Sequence, residues 1–205
     1  CKRCPLGDQR DRMCLARSEW PVGASAPNLQ LPCDVLFVGE APGTNEDVAG
    51  LPFVGPAGKL LDEIIERSIP QWATHAMNNL VACYPRHAKQ RGDNEPERGE
   101  VLACRERLIE FINLAQPRVI VRVGTLVDQY LNFNNSVPSV HIVHPAFILS
   151  RLPAAQKSMA INKCIVQVRR ICYDVLQSPR TEWKVWMQED TRSNLRSMYD
   201  ADIPF

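Results

Sequence analysis

The fold is decided by residues 34–43, which read DVLFVGEAPG. The first six residues form a short apolar run that ends at Gly39, a pattern typical of a buried strand. Several glycines then occur between Glu40 and Gly58, which predicts a loop directly after the strand. An apolar helix face follows over residues 59–68, so the stretch predicts a strand–loop–helix unit of an α/β fold.

Strands and helices continue to alternate along the chain. Further strands are predicted over 77–83, 118–124 and 139–143, and further helices over 97–115, 125–132 and a last segment reaching Leu176. We therefore expect an α/β three-layer sandwich with a central four-stranded, mostly parallel sheet flanked by helices. In such sheets the ligand site lies beyond the carboxyl ends of the strands. That rule directs attention to the loops predicted at 40–58, 84–96 and 144–153.

The two ends of the chain lack this periodicity. Residues 1–33 are predicted to be loop with cysteine anchors, and residues 181–205 carry no clear pattern. We expect one domain over residues 1–180 and a C-terminal tail over 181–205. No signal peptide and no apolar run of membrane-spanning length is visible, so we expect a cytoplasmic protein of a prokaryotic or phage-infected cell, with no membrane partner. Because an initiator Met is missing, we expect that the chain was trimmed or excised from something longer.

Composition excludes two broad classes of protein. The chain has 205 residues, 45% of them hydrophobic, and a formal net charge of +1. Wholesale disorder and the bulk basicity of a nucleic-acid-coating protein are both excluded. The charge is uneven, however: residues 33–66 hold seven acids and one base, whereas residues 150–180 hold six bases and one acid. The basic segment could meet a polyanion, or it could be a solvated helix face.

Eight cysteines need an explanation in a chain of this length. They are too sparse for a small disulfide scaffold. Without a secretory signal, a metal site is the favoured interpretation. Cys1 and Cys4 have the spacing of a metal knuckle.

Three groups of residues then occur in an order that resembles a known family. They are GEAPG at 39–43 with GLPFVGPAG at 50–58, NLVAC at 79–83, and HPAFIL at 144–149. Together they resemble the uracil-DNA glycosylase superfamily, specifically its iron–sulfur, family 4-like branch, over about residues 1–177. The resemblance implies an enzyme of base excision DNA repair that flips uracil out of DNA and hydrolyses its N-glycosidic bond, leaving an abasic site.

The resemblance implies roles that agree with side-chain chemistry. Phe53 offers a flat face for the flipped base, and the amide of Asn79 can pair with uracil O4 and N3–H. An N–H of His144 would stabilise the negative charge that develops on uracil O2, a contribution of about 3–4 kcal/mol for such donors. His141 points to the other strand face by alternation and is interpreted as structural.

Water activation is less directly indicated. The best-known superfamily members have Asp and Tyr where Ala41 and Gly43 stand here, so these two residues are expected only to line the substrate. Of the nearest carboxylates, Glu40, Glu46 and Asp47, we favour Glu40 as the group that positions or activates water. The alternative is that Glu40 only hydrogen-bonds the loop.

DNA contact is expected from the segment after His144. Leu149 and Arg151 lie in what resembles the DNA-inserting loop of the family. An apolar side chain such as Leu149 could fill the gap left by the flipped base. The expected partner is uracil-containing DNA, single- or double-stranded, bound by a monomer.

The resemblance also sorts the cysteines. Cys83 and Cys104 occupy positions similar to the third and fourth ligands of the family's [4Fe–4S] cluster, so that Cys1, Cys4, Cys83 and Cys104 would supply its four thiolates. A zinc ion on the same four thiolates is the open alternative. The remaining four are interpreted as ordinary thiols: Cys14, Cys33, Cys164 and Cys172.

Two other functions stay open at this stage. One is a glycosylase-fold module of a phage-type replication or repair protein that binds DNA without cleaving it. The other is a covalent uracil-DNA binder. A relative of this kind uses a His in the loop between the third and fourth ligand positions, where this chain has His87.

Overall fold

The computed structural model describes residues 17–19, 31–85, 95–131 and 137–180. This part of the chain contains one five-stranded sheet, built from β1 (Arg17–Glu19), β2 (Val35–Gly39), β3 (His75–Asn79), β4 (Val119–Val123) and β5 (Ser139–Ile142). Its strand order is β1-β3-β2-β4-β5. The strands β2 to β5 are mutually parallel, and β1 pairs antiparallel with β3 at the edge.

Within the described ranges, six helices connect and cover these strands. They are α1 (Thr44–Ala49), α2 (Pro56–Ser68), α3 (Arg98–Ala115), α4 (Thr125–Leu131), α5 (Pro145–Arg151) and α6 (Ala154–Leu176). None of these helices combines the length and the apolar character needed to cross a membrane.

The buried strand β2 shows why the helices form two layers. Successive strand side chains point to opposite faces of a sheet. Val35 and Phe37 pack into a cluster with residues of α2, α5 and α6. Leu36 and Val38 pack into a second cluster with residues of α3 and α4. The expected three-layer sandwich with four parallel strands is thereby confirmed.

Several element boundaries differ from the sequence-based predictions. β1 lies within the predicted loop 1–33, and β3 spans His75–Asn79 rather than 77–83. The predicted loops 40–58 and 144–153 each contain a short helix, α1 and α5. Both helices are too short to show an amphipathic period. They are specified by their caps instead: Gly50 in the left-handed conformation after α1, and His144 before α5.

The last described residue is tied to the start of β2. A guanidinium nitrogen of Arg180 donates to the carbonyl oxygen of Cys33 at 2.9 Å and contacts Asp34 Oδ1 at 3.1 Å. The same Asp34 accepts from the backbone N–H of Thr74 through Oδ2. Residue 180 is therefore held to the domain, while residues 181–205 lie outside the described part, so the boundary expected at 180 stays a prediction.

Candidate active site

A cleft of about 710 Å³ opens at the carboxyl edge of the parallel sheet. Five of the predicted site residues line it: Glu40, Ala41, Gly43, His144 and Arg151. They reach the cleft because the segments following β2 and β5 both emerge at this edge. The site therefore lies where the doubly wound topology places ligands.

Glu40 and His144 approach each other across the end of β4. Gly124 follows β4 with a φ of 101°, which is the left-handed region that favours glycine. A Cβ atom on Gly124 would collide with Glu40 Oε1 and would lie 3.2 Å from His144 Cδ2. The absence of a side chain at Gly124 thus provides the space in which the two predicted catalytic side chains approach each other. Sequence reasoning identified this glycine only as the end of a strand.

The local backbone fixes the proton of His144. His144 is the N-cap of α5, and its Nδ1 accepts a hydrogen bond from the backbone N–H of Ala146 at 3.2 Å. Burial lowers the pKa of His144 to about 4, so the imidazole is neutral near pH 7. With Nδ1 acting as acceptor, the ring proton resides on Nε2. His144 can therefore donate a hydrogen bond from Nε2 without carrying a charge.

Glu40 has the opposite shift. Burial, together with repulsion from the nearby Glu95 carboxylate, raises the pKa of Glu40 to about 7. A hydrogen bond with the backbone of Leu126 opposes this rise. A carboxylate with this pKa is a stronger base than an ordinary glutamate and is still substantially ionised at neutral pH.

The Glu46 carboxylate binds backbone groups of the loop and does not line the cleft. Its Oε2 accepts from the backbone N–H of Gly43 at 3.1 Å, and its Oε1 accepts from that of Gly55 at 2.7 Å. The carboxylate thereby joins the two arms of the glycine-rich segment. A Cβ atom on Gly43 would lie only 2.8 Å from Glu46 Oε2, so a bulky side chain does not fit at 43. Neither Glu46 nor Asp47 lines the cleft.

Phe53 and Asn79 meet over Gly39, below the wall of the cleft. A Cβ atom on Gly39 would lie 2.6 Å from both Asn79 Oδ1 and Phe53 Cζ. Both side chains are buried, and neither is among the residues that line the cleft. Asn79 Oδ1 has no hydrogen-bond partner within the described ranges. An aromatic ring and an unsatisfied amide oxygen thus converge one residue away from Glu40.

The loop that places Phe53 is held in an unfavourable conformation. Phe53 has a φ of 57°, which is uncommon for a residue with a side chain. A Cβ atom at position 58 would overlap the carbonyl group of Phe53. Glycine at 58 therefore permits the conformation of Phe53. Such backbone strain persists only where the surrounding structure enforces it, and it is often found at functional sites.

The segment after His144 differs from the expected loop. Leu149 and Arg151 lie on the helix α5, and only Arg151 lines the cleft. Phe147 lines the cleft as well, and its side chain is 49% exposed. Phe147 was not among the predicted site residues. It lies three residues after His144, however, which places it on the same side of a helix that begins at His144. His141, predicted to point to the other strand face and to be structural, lines the cleft as well.

Two of the four predicted cluster ligands can be located. Cys83 and Cys104 are both buried and belong to the hydrophobic cluster on the α3 side of the sheet. Cys1 and Cys4 lie outside the described residues, as do Cys14 and His87. Within the described ranges, no group of three or more potential metal ligands is found.

Cys33 shares that hydrophobic cluster but lies at the other end of the sheet. Its backbone N–H donates to the carbonyl oxygen of Ala115, the last residue of α3. Cys104 precedes Ala115 by eleven residues, and a helix rises about 1.5 Å per residue, so the two sites are about 16 Å apart. Burial also raises the pKa of the Cys33 thiol to about 12, as it does for Cys172. These thiols stay protonated, in agreement with a structural role.

The approach of Phe53 and Asn79 to Gly39 predicts the effect of adding one methyl group. In Gly39→Ala both side chains must move, because the new Cβ lies 2.6 Å from each of them. For the uracil site that the family resemblance implies, we expect binding of free uracil to weaken about tenfold or more, measured by NMR titration. Gly99→Ala is the matched control, because nothing lies within 4 Å of its Cβ position. Unchanged uracil binding by a folded Gly39→Ala variant would contradict the assignment of this base site.

Comparison with known proteins agrees with this geometry. The family model of the uracil DNA glycosylase superfamily matches residues 27–168. The Type-4 uracil-DNA glycosylase of Pyrobaculum aerophilum is 36% identical over 126 residues, which are 62% of this chain and 56% of that protein. That of Saccharolobus solfataricus is 38% identical over 99 residues, 48% of this chain and 44% of that protein.

A third relative gives the same result. The Type-4 uracil-DNA glycosylase of Sulfurisphaera tokodaii is 33% identical over 132 residues, 64% of this chain and 53% of that protein. The chain thus spans about half the length of the curated relatives that it matches. Since the family model covers more than half of the chain, and the fold and the site agree with it, the chain belongs to the uracil DNA glycosylase superfamily.

Proposed function

We propose that this protein is a uracil-DNA glycosylase of base excision repair, which hydrolyses the N-glycosidic bond of a flipped-out deoxyuridine. The observation that carries the proposal is the meeting of Glu40 and a neutral His144 around Gly124, at the carboxyl edge of the sheet. The names of the curated relatives support the same activity.

Uracil recognition is assigned to Asn79 and Phe53. The Asn79 amide presents both a donor and an acceptor, which complement uracil O4 and N3–H respectively. Its Oδ1 is buried without a partner in the described part of the chain, so it needs a donor such as N3–H. The Phe53 ring would stack on the face of the base. Ala41 and Gly43 line the cleft as small residues that leave room for the substrate.

The chemical step divides between Glu40 and His144. Water attacks C1′ of the deoxyribose while the C1′–N1 bond breaks, and the bonding electron pair leaves with uracil. The Glu40 carboxylate orients the water and takes its proton. The Nε2–H of His144 donates to uracil O2 as negative charge develops there. The uracil anion is then protonated by solvent.

DNA contact is assigned to the segment 145–151. Arg151 lines the cleft and would meet a phosphate. Three other bases of the segment 150–180 bind backbone carbonyl oxygens of this protein: Lys157, Arg169 and Arg180. Leu149, 38% exposed, remains the proposed plug for the space left by the flipped base. The proposed enzyme acts as a monomer in the cytoplasm.

A [4Fe–4S] cluster is proposed on Cys1, Cys4, Cys83 and Cys104. Its support is that Cys83 and Cys104 lie buried on the same face of the sheet, whereas Cys33 lies at the opposite end of α3 from Cys104. A thiolate pair in apolar surroundings fits an iron–sulfur cluster. When bound, the cluster would brace the N-terminal segment against α3, since hydrolysis transfers no electrons.

The first test of the function uses His144→Ala and Asn79→Ala. We expect each variant to lose at least about 100-fold in uracil excision, because each removes a group that acts on the base in the transition state. DNA binding should persist, since neither residue contacts phosphate in this proposal. Excision is measured by alkaline cleavage of a labelled uracil-containing oligonucleotide on a denaturing gel.

The same gel separates the rival functions. Strand cleavage after alkali supports the glycosylase. No change supports a binding module that does not cleave, and a protein-sized shift supports a covalent binder using His87. Excision at the wild-type rate by both variants would remove the assignment of Asn79 and His144.

The pKa of Glu40 predicts the pH profile. The base must be ionised, so kcat/KM should rise about tenfold per pH unit below pH 7 and level off above it. His144 ionises only near pH 4 and should add no change between pH 5 and 9. Glu40→Gln should abolish the rise. Glu95→Gln removes the repulsion and should move the midpoint to lower pH, and an unmoved profile in both variants would exclude Glu40 as the base.

The cluster has its own test. Protein purified without oxygen should show broad visible absorbance, with iron and acid-labile sulfide in equal amounts. Cys104→Ser should lose this absorbance, whereas Cys33→Ser should keep it, because Cys33 lies at the opposite end of α3. A zinc content without sulfide would overturn the iron–sulfur assignment in favour of a zinc site.

A further inference from the structure

Arg107 contacts the backbone that carries the proposed uracil-reading residue. This arginine lies on α3, one helical turn after Cys104. One of its terminal nitrogens donates to Asn78 Oδ1 at 2.8 Å. The other donates to the carbonyl oxygen of Asn79 at 2.5 Å and, more weakly, to that of Leu80 at 3.4 Å. Arg107 is not among the residues that line the cleft.

Beyond Met77, no described strand pairs with the outer edge of β3. The described residues of the edge strand β1 pair with His75 to Met77. On the other side, the turn after β3 is tied to β2, since Leu80 N–H and Val81 N–H donate to the carbonyl oxygens of Gly39 and Glu40. Among the described residues, Arg107 supplies the donors to the carbonyl oxygens that follow Met77, at Asn79 and Leu80. A buried carbonyl group without such a partner would be costly.

The Asn78 side chain connects Arg107 to the backbone N–H of Asn79. Its side chain is 1% exposed, and its Oδ1 accepts both from Arg107 and from the backbone N–H of Asn79 at 2.8 Å. The N–H and the carbonyl group of Asn79 are therefore held by a single network of two side chains. Hydrogen bonds from a guanidinium are stronger than neutral ones, and the planar fork of Arg107 fixes their direction.

We propose that Arg107, acting through Asn78, is a positioning residue that fixes the backbone from which the Asn79 amide reads uracil. The inference rests on the role of Asn79 in the proposed function. Small displacements of a substrate-orienting group reduce rates strongly, by as much as about 100-fold for a shift near 1 Å. The network therefore sets how well the base is held for hydrolysis.

The kinetic test compares Arg107→Ala with Arg107→Lys. We expect the alanine variant to lose about 10- to 100-fold in kcat, with little change in KM for DNA, because Arg107 lies outside the cleft. Lysine can reach one of the acceptors and should recover part of the loss. Arg67→Ala, which breaks an exposed ion pair with Glu63 at the end of α2, is the control and should keep the wild-type kcat.

A second pair of variants tests the connection through Asn78. Asn78→Asp keeps an oxygen acceptor for both Arg107 and Asn79 N–H, so its kcat should stay within about threefold of wild type. Asn78→Leu has a similar size but no acceptor, and it should match Arg107→Ala. If Arg107→Ala does not fold, the two Asn78 variants test the positioning role without it. Loss of thermal stability in Asn78→Leu and Arg107→Lys with an unchanged kcat would reduce the network to a structural role and overturn the proposal.

An activity-independent measurement separates this inference from the proposed function. The side-chain amide signals of Asn79, identified by their absence in Asn79→Asp, should shift or broaden in Arg107→Ala and remain in place in Arg67→Ala. If the wild-type protein excises no uracil, the proposed function fails, while these signals still report on the position of Asn79. Unchanged Asn79 signals in Arg107→Ala would overturn the positioning role.

Discussion

Close approach over two glycines is the constraint on which the site depends. At Gly39 the Phe53 ring and the Asn79 amide meet, and at Gly124 the Glu40 carboxylate and the His144 imidazole meet. At both positions a single methyl group would occupy space that these side chains already fill. The neighbouring parallel strands β2 and β4, in which Val38 pairs with Arg122, bring the two glycines to the same edge of the sheet. The pair proposed to read the base and the proposed catalytic pair therefore lie at the same edge of the sheet.

Partial exclusion of water then gives the two proposed catalytic groups different tasks. The same burial that keeps His144 neutral raises the pKa of Glu40. A neutral imidazole can donate to an anion without acting as an acid, and a weakly acidic glutamate can accept a proton from water. The backbone N–H of Ala146 selects the tautomer that this division of roles needs.

Elements with a regular apolar pattern over several residues could be predicted from the sequence, whereas short helices that depend on their caps could not. The buried run at β2 and the apolar face of α6 are specified by their own residues, because burial of a whole face demands a regular period. The helices α1 and α5 are one to two turns long and depend on their caps, and β1 exists only by pairing with β3. For the same reason Leu149 was expected on a loop, and Phe147 was overlooked.

The sequence by itself determined the order of the four parallel strands and the longer helices, since periodicity and the glycine-rich motifs are local properties. It pointed to Glu40, Phe53, Asn79 and His144 through motifs that resemble those of a known family. Only the tertiary structure decided which of these side chains meet and how they are held. Gly124 between Glu40 and His144, and Arg107 behind Asn79, join segments far apart in the chain. Such contacts arise from the packing of a helix and several strands together, and no local pattern encodes them.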